Sequence, residues 1–168
     1  IYDYDLLGAC LLDSGALLEG RIIWNVFQFT EHNRLIIISL YGVAYSNSNN
    51  RDTQSESYKK RKDLLKVTRG KLLQLKNTYN NSKIIILGDL QDTMSPSDAY
   101  GNFRRKWESN KNSILTIPIK EENMTSIARE ETIKRGNTYS TRRGNVAHAP
   151  GQRSGRGIDH IFLSDNIE

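Results

Sequence analysis

Short apolar runs separated by polar segments predict strands along most of the chain. Two runs rich in β-branched and aromatic residues, 21–29 and 34–42, flank the four polar residues 30–33. This arrangement predicts a β-hairpin. A third run, 83–87, is apolar after Lys83, and it predicts a strand that is buried on both faces.

One long helix is predicted between the second and third of these runs. From residue 58 to about 79, Leu64, Leu65, Leu72 and Leu75 fall roughly on one stripe, while Lys and Arg dominate the other positions. Such a helix packs its leucines on the sheet and turns a basic surface outward.

The remaining segments are more polar. Residues 47–57 are predicted to form a loop that leads into the helix, and 121–131 has a weak helical pattern. A short strand at 137–140 precedes a loop rich in Gly, Arg and Ser at 141–157. The last run, 158–164, predicts a strand with two different faces. Asp159, Ile161 and Leu163 share one face, and Ile158, His160 and Phe162 share the other.

The order of elements predicts an α+β fold. Strands dominate, one or two helices lie over them, and neither a repeat nor a linker divides residues 1–168. We therefore expect a single domain, a β-sandwich of mostly antiparallel strands with helices on its outer faces.

Composition narrows the class of protein. The chain has 168 residues, of which 37% are hydrophobic and 26% are charged, as expected of a globular domain rather than a disordered or membrane protein. The net charge of +5 favours a polyanionic partner such as nucleic acid or phosphorylated lipid. Cys10 is the only cysteine, which predicts a reducing, intracellular location in the nucleus or cytoplasm rather than secretion.

Several familiar catalytic sites are excluded by their missing motifs. The chain has no phosphate-cradling G-x-x-x-x-G-K-[ST] loop and no G-x-G-x-x-G between a strand and a helix. It has no Cys/His spacing for zinc and no G-x-S-x-G elbow for a serine hydrolase.

Polar residues at the ends of three predicted strands are the remaining candidates for chemistry. Tyr41 ends the second run, Asp89 and Gln91 follow the third, and Asp159 opens the last. If these strands are neighbours, the four side chains converge at one rim of the sheet. Taken singly, each has a structural alternative: a turn aspartate, a packed tyrosine, or an aspartate paired with a nearby arginine.

Five motifs in order resemble the endonuclease/exonuclease/phosphatase superfamily, which has the deoxyribonuclease I-like fold. They are "LIIISLYGVAYSNS", "IIILGDLQDT" after the basic helix, "MTSIARE", "NTYS" and "GRGIDHIFLS". The resemblance covers nearly the whole chain. It implies a four-layer fold with a β-sandwich inside, and a phosphodiesterase that depends on a divalent metal, Mg²⁺ or Mn²⁺.

The resemblance also implies a role for each strand-end residue. Asp89 would orient or deprotonate the attacking water and, with Gln91, form the metal region. Gln91 stands in the place of an Asn that hydrogen-bonds the phosphate. Tyr41 would donate its hydroxyl to a phosphate oxygen, and Asp159 would hold and polarise a catalytic histidine.

Four arginines in the loop 141–157 are the predicted contacts to the nucleic-acid backbone. They are Arg142, Arg143, Arg153 and Arg156. We expect nucleic acid as the partner, DNA in preference to RNA, with neither a membrane nor a stable protein partner.

The chain also departs from the superfamily pattern. Gln91 replaces Asn, and Ser126 replaces an Asp, which predicts that Arg129 loses its ion-pair partner. The metal-binding Glu and the catalytic His of the superfamily have no counterpart in residues 1–168. We therefore expect a domain truncated at both ends that has little or no activity on its own.

These observations predict a metal-dependent nuclease, of endonuclease and retroelement type, that hydrolyses phosphodiesters with an activated water. Two alternatives stay open. One is a phosphatase of the same fold that acts on a small phosphoester such as a phosphoinositide or sphingomyelin. The other is a catalytically dead remnant that binds nucleic acid.

Overall fold

The computed structural model describes residues 8–44, 51–94, 98–100, 117–135, 142–143, 155–156 and 158–164. Its long strands are β1 (Cys10–Leu17), β2 (Ile22–Gln28), β3 (Arg34–Leu40), β4 (Lys83–Asp89) and β8 (Asp159–Leu163). Three strands have two residues each: β5 (Ala99–Tyr100), β6 (Arg142–Arg143) and β7 (Gly155–Arg156). The helices are α1 (Arg51–Thr78), α2 (Ile117–Glu121) and α3 (Ile127–Lys134).

The long strands form one mixed sheet in the order β1-β2-β3-β4-β8. The pairs β1–β2, β2–β3 and β4–β8 are antiparallel, and β3–β4 is parallel. The α+β prediction is confirmed, including the hairpin formed by β2 and β3. The short strands form a second sheet in the order β5-β7-β6, and the four-layer sandwich stays a prediction.

The edge strand β1 was missed in the sequence because its residues carry little β signal. The segment CLLDSGAL contains no β-branched residue, and most of its side chains are exposed. Gly15 lies against Trp24 so closely that a Cβ at this position would be 2.3 Å from the Trp24 ring. The position of β1 therefore depends on its partner β2 rather than on its own pattern.

Helix α1 begins at Arg51, earlier than the predicted start at residue 58, so the prediction of a loop over 47–57 is wrong for its second half. The extra turns begin with an acidic residue, Asp52, which is favourable at a helix N-terminus. The first two buried residues of the helix are Ser57, in the extra turns, and Arg61, and neither is a leucine. A search for apolar periodicity therefore cannot detect these turns.

Helix α1 covers one face of the sheet, which we call the closed face. Leu64, Leu72 and Leu75 pack with strand residues in a single core cluster, and Leu65 packs against it. The sheet side chains that are almost fully buried there are Ile22, Val26, Ile36, Ile38, Ile86 and Phe162.

The opposite face of the sheet, which we call the open face, is much more accessible. Ile23, Tyr41 and Ile161 are 42%, 54% and 55% exposed, and Ile85 and Leu87 are half-buried. The described residues cover the open face incompletely, which leaves Ile85 and Leu87 only half-buried. The prediction that β4 is buried on both faces therefore holds only for the closed face.

The weak helical pattern at 121–131 corresponds to two helices with a break between them. At the break, Thr125 forms an antiparallel bridge with Leu163, so the chain touches the free edge of β8. Ion pairs from Glu121 to Arg69 and from Glu122 to Lys76 attach α2 to α1. No helix in the described part of the chain is long and apolar enough to cross a bilayer. The predicted strand at 137–140 lies outside the described residues.

Candidate active site at the ends of three strands

The ends of β3, β4 and β8 lie side by side because these strands are neighbours in the sheet. The N–H of Gly42, which follows Tyr41, donates to the carbonyl oxygen of Asp89 at 2.7 Å. The N–H of Leu90 donates to the carbonyl oxygen of Ile158 at 2.8 Å. The structure thus brings Tyr41, Asp89 and Asp159 together where the three neighbouring strands end, at one rim of the sheet. Together with Gln91 they are called the strand-end site below.

Asp89 and Asp159 are directly opposite each other across the β4–β8 pair. Hydrogen bonds join Leu90 to Ile158 and Ser164 to Ile84, so the alternation of the ladder places the two aspartates at a non-hydrogen-bonded position. At such positions the Cα atoms are about 4.5 Å apart and the side chains are at their closest. Two like charges placed this way repel each other, and a bound cation would relieve that repulsion.

Both carboxylates face the open side of the sheet. The strand residues next to them, Gly88 and His160, belong to the closed-face set, and His160 is buried. Asp89 and Asp159 line one cavity of about 330 Å³, whose apolar walls include Leu87, Ile161 and Ala128 of α3. The site is therefore a polar rim beside an apolar pocket.

Gln91 holds Asp89 through both carboxylate oxygens. Its backbone N–H donates to Oδ1 at 2.9 Å, and its side-chain amide nitrogen donates to Oδ2 at 2.5 Å. Gln91 has a φ of +50°, a left-handed conformation that a Gln adopts only when its surroundings require it. The amide is thus engaged with Asp89 and buried, and the phosphate-binding role that the resemblance implies stays a prediction.

Two glycines permit the close approach of the strand ends. A Cβ at Gly42 would be 1.9 Å from the carbonyl oxygen of Leu90, and a Cβ at Gly88 would be 2.0 Å from that of Leu40. Both contacts are with backbone atoms, which cannot move aside as a flexible side chain could. Any side chain at either position must therefore separate β3 from β4 at the site.

Tyr41 is exposed on the open face, and a cation lies over its ring. The guanidinium carbon of Arg21 is 5.2 Å from the ring centroid, and Arg21 Nη1 donates to the carbonyl oxygen of Gly42 at 3.2 Å. Arg21 was not among the site residues predicted from the sequence. Its position at the start of β2, across from the end of β3, was the signal that could have identified it.

Two residues near the strand-end site, Arg129 and His160, make contacts with buried groups. Arg129 Nε is 2.9 Å from both carboxylate oxygens of Asp98, which is fully buried. Ser126 cannot pair with Arg129, as predicted, and Asp98, an aspartate earlier in the chain, forms the ion pair with Arg129 instead. His160 is buried, stacks on Phe162 with ring centroids 5.0 Å apart, and donates through Nε2 to the carbonyl oxygen of Asp92 at 3.2 Å.

The four predicted nucleic-acid contacts are only partly described. Arg142 and Arg143 form β6, and the backbone of Arg142 is opposite that of Arg156 in β7. Three of the four thus belong to one small sheet, and Arg153 lies outside the described residues. In the described ranges, no group of three or more His, Cys, Asp or Glu side chains could hold a metal ion.

Comparison with known proteins identifies the fold but not the activity. No protein-family model matches the chain, and no curated protein sequence does either. The chain is similar to the 3'-5' exonuclease NExo from Neisseria meningitidis, with a TM-score of 0.64 and 15% identity over 93% of this chain and 59% of that one.

Two further solved structures agree. An AP endonuclease from Archaeoglobus fulgidus has a TM-score of 0.60 and 15% identity, with 92% of this chain and 59% of that one covered. The 3' phosphatase NExo from Neisseria, bound to a product DNA hairpin, has a TM-score of 0.58 and 15% identity over 94% of this chain and 60% of that one. The chain thus has a deoxyribonuclease I-like fold and spans about three fifths of the length of these structures.

Proposed function

We propose that this protein belongs to the endonuclease/exonuclease/phosphatase superfamily and hydrolyses phosphodiesters of nucleic acid, as an endonuclease of the retroelement type. One observation carries the proposal. In a deoxyribonuclease I-like fold, Asp89 and Asp159 are opposite each other at the ends of β4 and β8, and Tyr41 lies at the same edge.

The donor atoms of the strand-end site fit a hard divalent cation. Asp89 and Asp159 offer carboxylate oxygens, and Gln91 offers an amide oxygen; these are the ligand types that Mg²⁺ and Mn²⁺ prefer. Mg²⁺ is commonly held by only one or two carboxylates, with water and substrate phosphates completing its shell. We therefore propose Asp89 and Gln91 as the protein ligands, with the Asp159 carboxylate opposite Asp89 adding negative charge beside the cation. When bound, the cation would supply charge for the phosphate oxygens and acidify water.

The side chains of the site would transfer a proton, bind the phosphate and orient a histidine. The Asp89 carboxylate, fixed in orientation by Gln91, would accept a proton from the attacking water. The exposed hydroxyl of Tyr41 would donate a hydrogen bond to a phosphate oxygen, where negative charge increases in the transition state. Asp159 would orient a histidine that acts as acid and base.

Charge on the molecule supports a nucleic-acid substrate. Helix α1 has nine Lys or Arg residues, of which only Arg61 is buried, and three Asp or Glu residues. Residues 141–157 add four arginines without an acidic residue. Basic surfaces of this kind bind phosphate backbones through counterion release. A similar protein, the 3' phosphatase NExo, was solved with a product DNA hairpin, which supports DNA in preference to RNA.

Nicking of supercoiled plasmid DNA tests the proposal. We expect slow relaxation by residues 1–168 alone and faster relaxation by a longer chain that also carries the metal-binding Glu and the catalytic His. Both should relax plasmid in Mg²⁺ or Mn²⁺ and not in EDTA, with a rate about 10²- to 10⁴-fold lower for Asp89→Asn. Asp63→Asn is the matched control, because Asp63 is an exposed aspartate of α1, away from the strand-end site. Equal nicking by the wild-type protein and Asp89→Asn would refute the role of Asp89. Faster hydrolysis of inositol phosphates or sphingomyelin than of plasmid would favour the small-phosphoester alternative.

One observation favours the alternative of a protein that binds nucleic acid without cutting it. The Gln91 side chain is buried, and one of its two amide N–H donors is engaged with Asp89, so its access to a phosphate is restricted. A binding protein would retain salt-dependent affinity for DNA after Asp89 and Asp159 are both replaced by Asn, and it would show no turnover in either metal. Fluorescence anisotropy at several salt concentrations, measured beside the nicking assay, separates the two functions.

A further inference from the structure

A buried arginine lies behind the strand-end site, on the closed face. Arg61 belongs to α1, and its side chain is only 3% exposed. It occupies a position on the sheet-facing side of the helix where its neighbours Leu64, Leu72 and Leu75 are apolar. A buried guanidinium is costly unless its donors are used, so its contacts indicate what it does there.

The Arg61 guanidinium binds the segments that follow two of the three strand ends. Nη2 is 3.1 Å from Asp92 Oδ2, a carboxylate that is only 5% exposed. Nη1 donates to the carbonyl oxygen of Val43 at 2.9 Å and to that of Gln91 at 3.4 Å. Val43 lies just after Tyr41, and Gln91 and Asp92 lie just after Asp89. A single planar group thus fixes the exits of β3 and β4 relative to each other.

The third strand end is attached through Asp92. Its carbonyl oxygen accepts the hydrogen bond from His160 Nε2, and His160 is the residue after Asp159 in β8. Arg61, Asp92 and His160 therefore form a buried polar chain behind the three strand ends. The side chains of the strand-end site project from the open face, and this chain contacts the backbone that supports them.

We propose that Arg61 and Asp92 are positioning residues, which set the spacing between Tyr41, Asp89 and Asp159 without touching the substrate. The catalytic part of this inference rests on the proposed function. The competing explanation is that the ion pair only stabilises the fold. A displacement of about 1 Å in a catalytic group can cost about a hundredfold in rate, so the two explanations predict different kinetics.

The protein contains a matched control in the second buried ion pair, Asp98–Arg129. It is comparable in burial, with Asp98 fully buried and Arg129 19% exposed, but it joins the chain near β5 to α3 instead of the strand ends. Asp98→Asn therefore breaks a buried ion pair that includes neither Arg61 nor Asp92. It measures how much activity is lost through stability alone.

The experiment compares three variants, Arg61→Met, Asp98→Asn and the double variant Arg61→Met/Asp92→Leu. The melting temperature of each is determined first, and kcat and KM are then measured well below the lowest of these temperatures. We expect Arg61→Met to lower kcat about 30- to 100-fold with KM changed less than about threefold. Asp98→Asn should lower the melting temperature similarly but change kcat less than about threefold. The apolar double variant should regain much of the melting temperature, since apolar pairs can replace buried ion pairs, but not kcat. Recovery of kcat in the double variant, or kcat that follows melting temperature in all variants, would overturn the inference.

Hydrogen exchange keeps this test separate from the proposed function. If no phosphoester is hydrolysed even by a longer chain that carries the metal-binding Glu and the catalytic His, the proposed function fails, and the amides of Gly42 and Leu90 then decide the inference. These amides join β3 to β4 and β4 to β8. In Arg61→Met we expect the exchange rates of these two amides, each divided by the rate of the Ile37 amide in the centre of the sheet, to rise at least about tenfold above the wild-type ratio. In Asp98→Asn we expect the same ratios to be unchanged. Unchanged exchange at both amides in Arg61→Met would contradict a positioning role.

Discussion

The two faces of the five-stranded sheet use the same strands for different purposes. On the closed face, Ile38, Ile86 and Phe162 are at most 1% exposed beneath α1. On the open face, Tyr41 and Ile161 are more than half exposed, and the aspartates of the strand-end site project beside them. Since side chains alternate along a strand, each residue that builds the core is followed by one available for chemistry. Substitutions on the closed face should therefore affect stability, and those on the open face should affect activity.

Ile86→Ala, on the closed face, should have the largest effect on stability. The truncation leaves a cavity in the centre of the core, and such changes cost about 2–5 kcal/mol in the free energy of unfolding. Urea denaturation followed by circular dichroism measures this loss. A cost below about 1 kcal/mol would show that α1 does not seal this face.

Gly42→Ala should affect both faces, because Gly42 lies where the strand ends meet. Its new Cβ would collide with the carbonyl oxygen of Leu90, and relief of that collision separates β3 from β4. We expect a loss of about 1–3 kcal/mol in the free energy of unfolding, together with a fall in nicking rate of about a hundredfold. Gly70→Ala is the control, because a Cβ at Gly70 in α1 would meet nothing within 4 Å. Normal nicking by Gly42→Ala would contradict the close packing of the strand ends.

Tyr41→Phe should change activity with little effect on stability. The variant retains the ring under Arg21 and removes only the hydroxyl on an exposed side chain. We expect a free energy of unfolding within about 0.5 kcal/mol of the wild-type value and a kcat about tenfold lower. Steady-state kinetics on an oligonucleotide phosphodiester would reveal it, and an unchanged kcat would remove Tyr41 from the site.

Ile161→Ala should have the smallest effect of the series. Ile161 lies next to Asp159 on the open face, where it is 55% exposed, so its truncation opens no closed cavity. We expect less than about 1 kcal/mol in the free energy of unfolding, against the larger loss for Ile86→Ala in the same assay. Similar losses for the two variants would mean that the faces are covered equally.

Local patterns in the sequence predicted the centre of the sheet well. Strands β2, β3, β4 and β8 follow from short runs rich in aliphatic, β-branched or aromatic residues, and the leucine-rich part of α1 follows from a periodicity of 3.6 residues. Both signals are properties of short segments. The pattern failed where a neighbour determines the structure. The position of β1 depends on its pairing with β2, and the N-terminal part of α1 buries Ser57 and Arg61 instead of leucines. Arg129 pairs with Asp98 from a distant segment.

The strand-end site was predictable only in part, for the same reason. Polar residues at strand ends identified Tyr41, Asp89, Gln91 and Asp159 as candidates, but the ladder register between β4 and β8 was needed to place the two aspartates opposite each other. The left-handed backbone of Gln91 and the contacts of Arg61 leave no local signature. They depend on the assembled fold, and the catalytic roles of the site residues stay predictions.

A double-mutant cycle on Asp89 and Asp159 tests the central claim most directly, namely that the two carboxylates act at one hydrolytic site. The rate of phosphodiester hydrolysis in Mg²⁺ is measured for the wild-type protein, Asp89→Asn, Asp159→Asn and the double variant. Residues that act as one unit have strongly non-additive effects, so we expect the double variant to be about as slow as the slower single variant. Losses that multiply in the double variant, or single variants that retain the wild-type rate, would contradict the account.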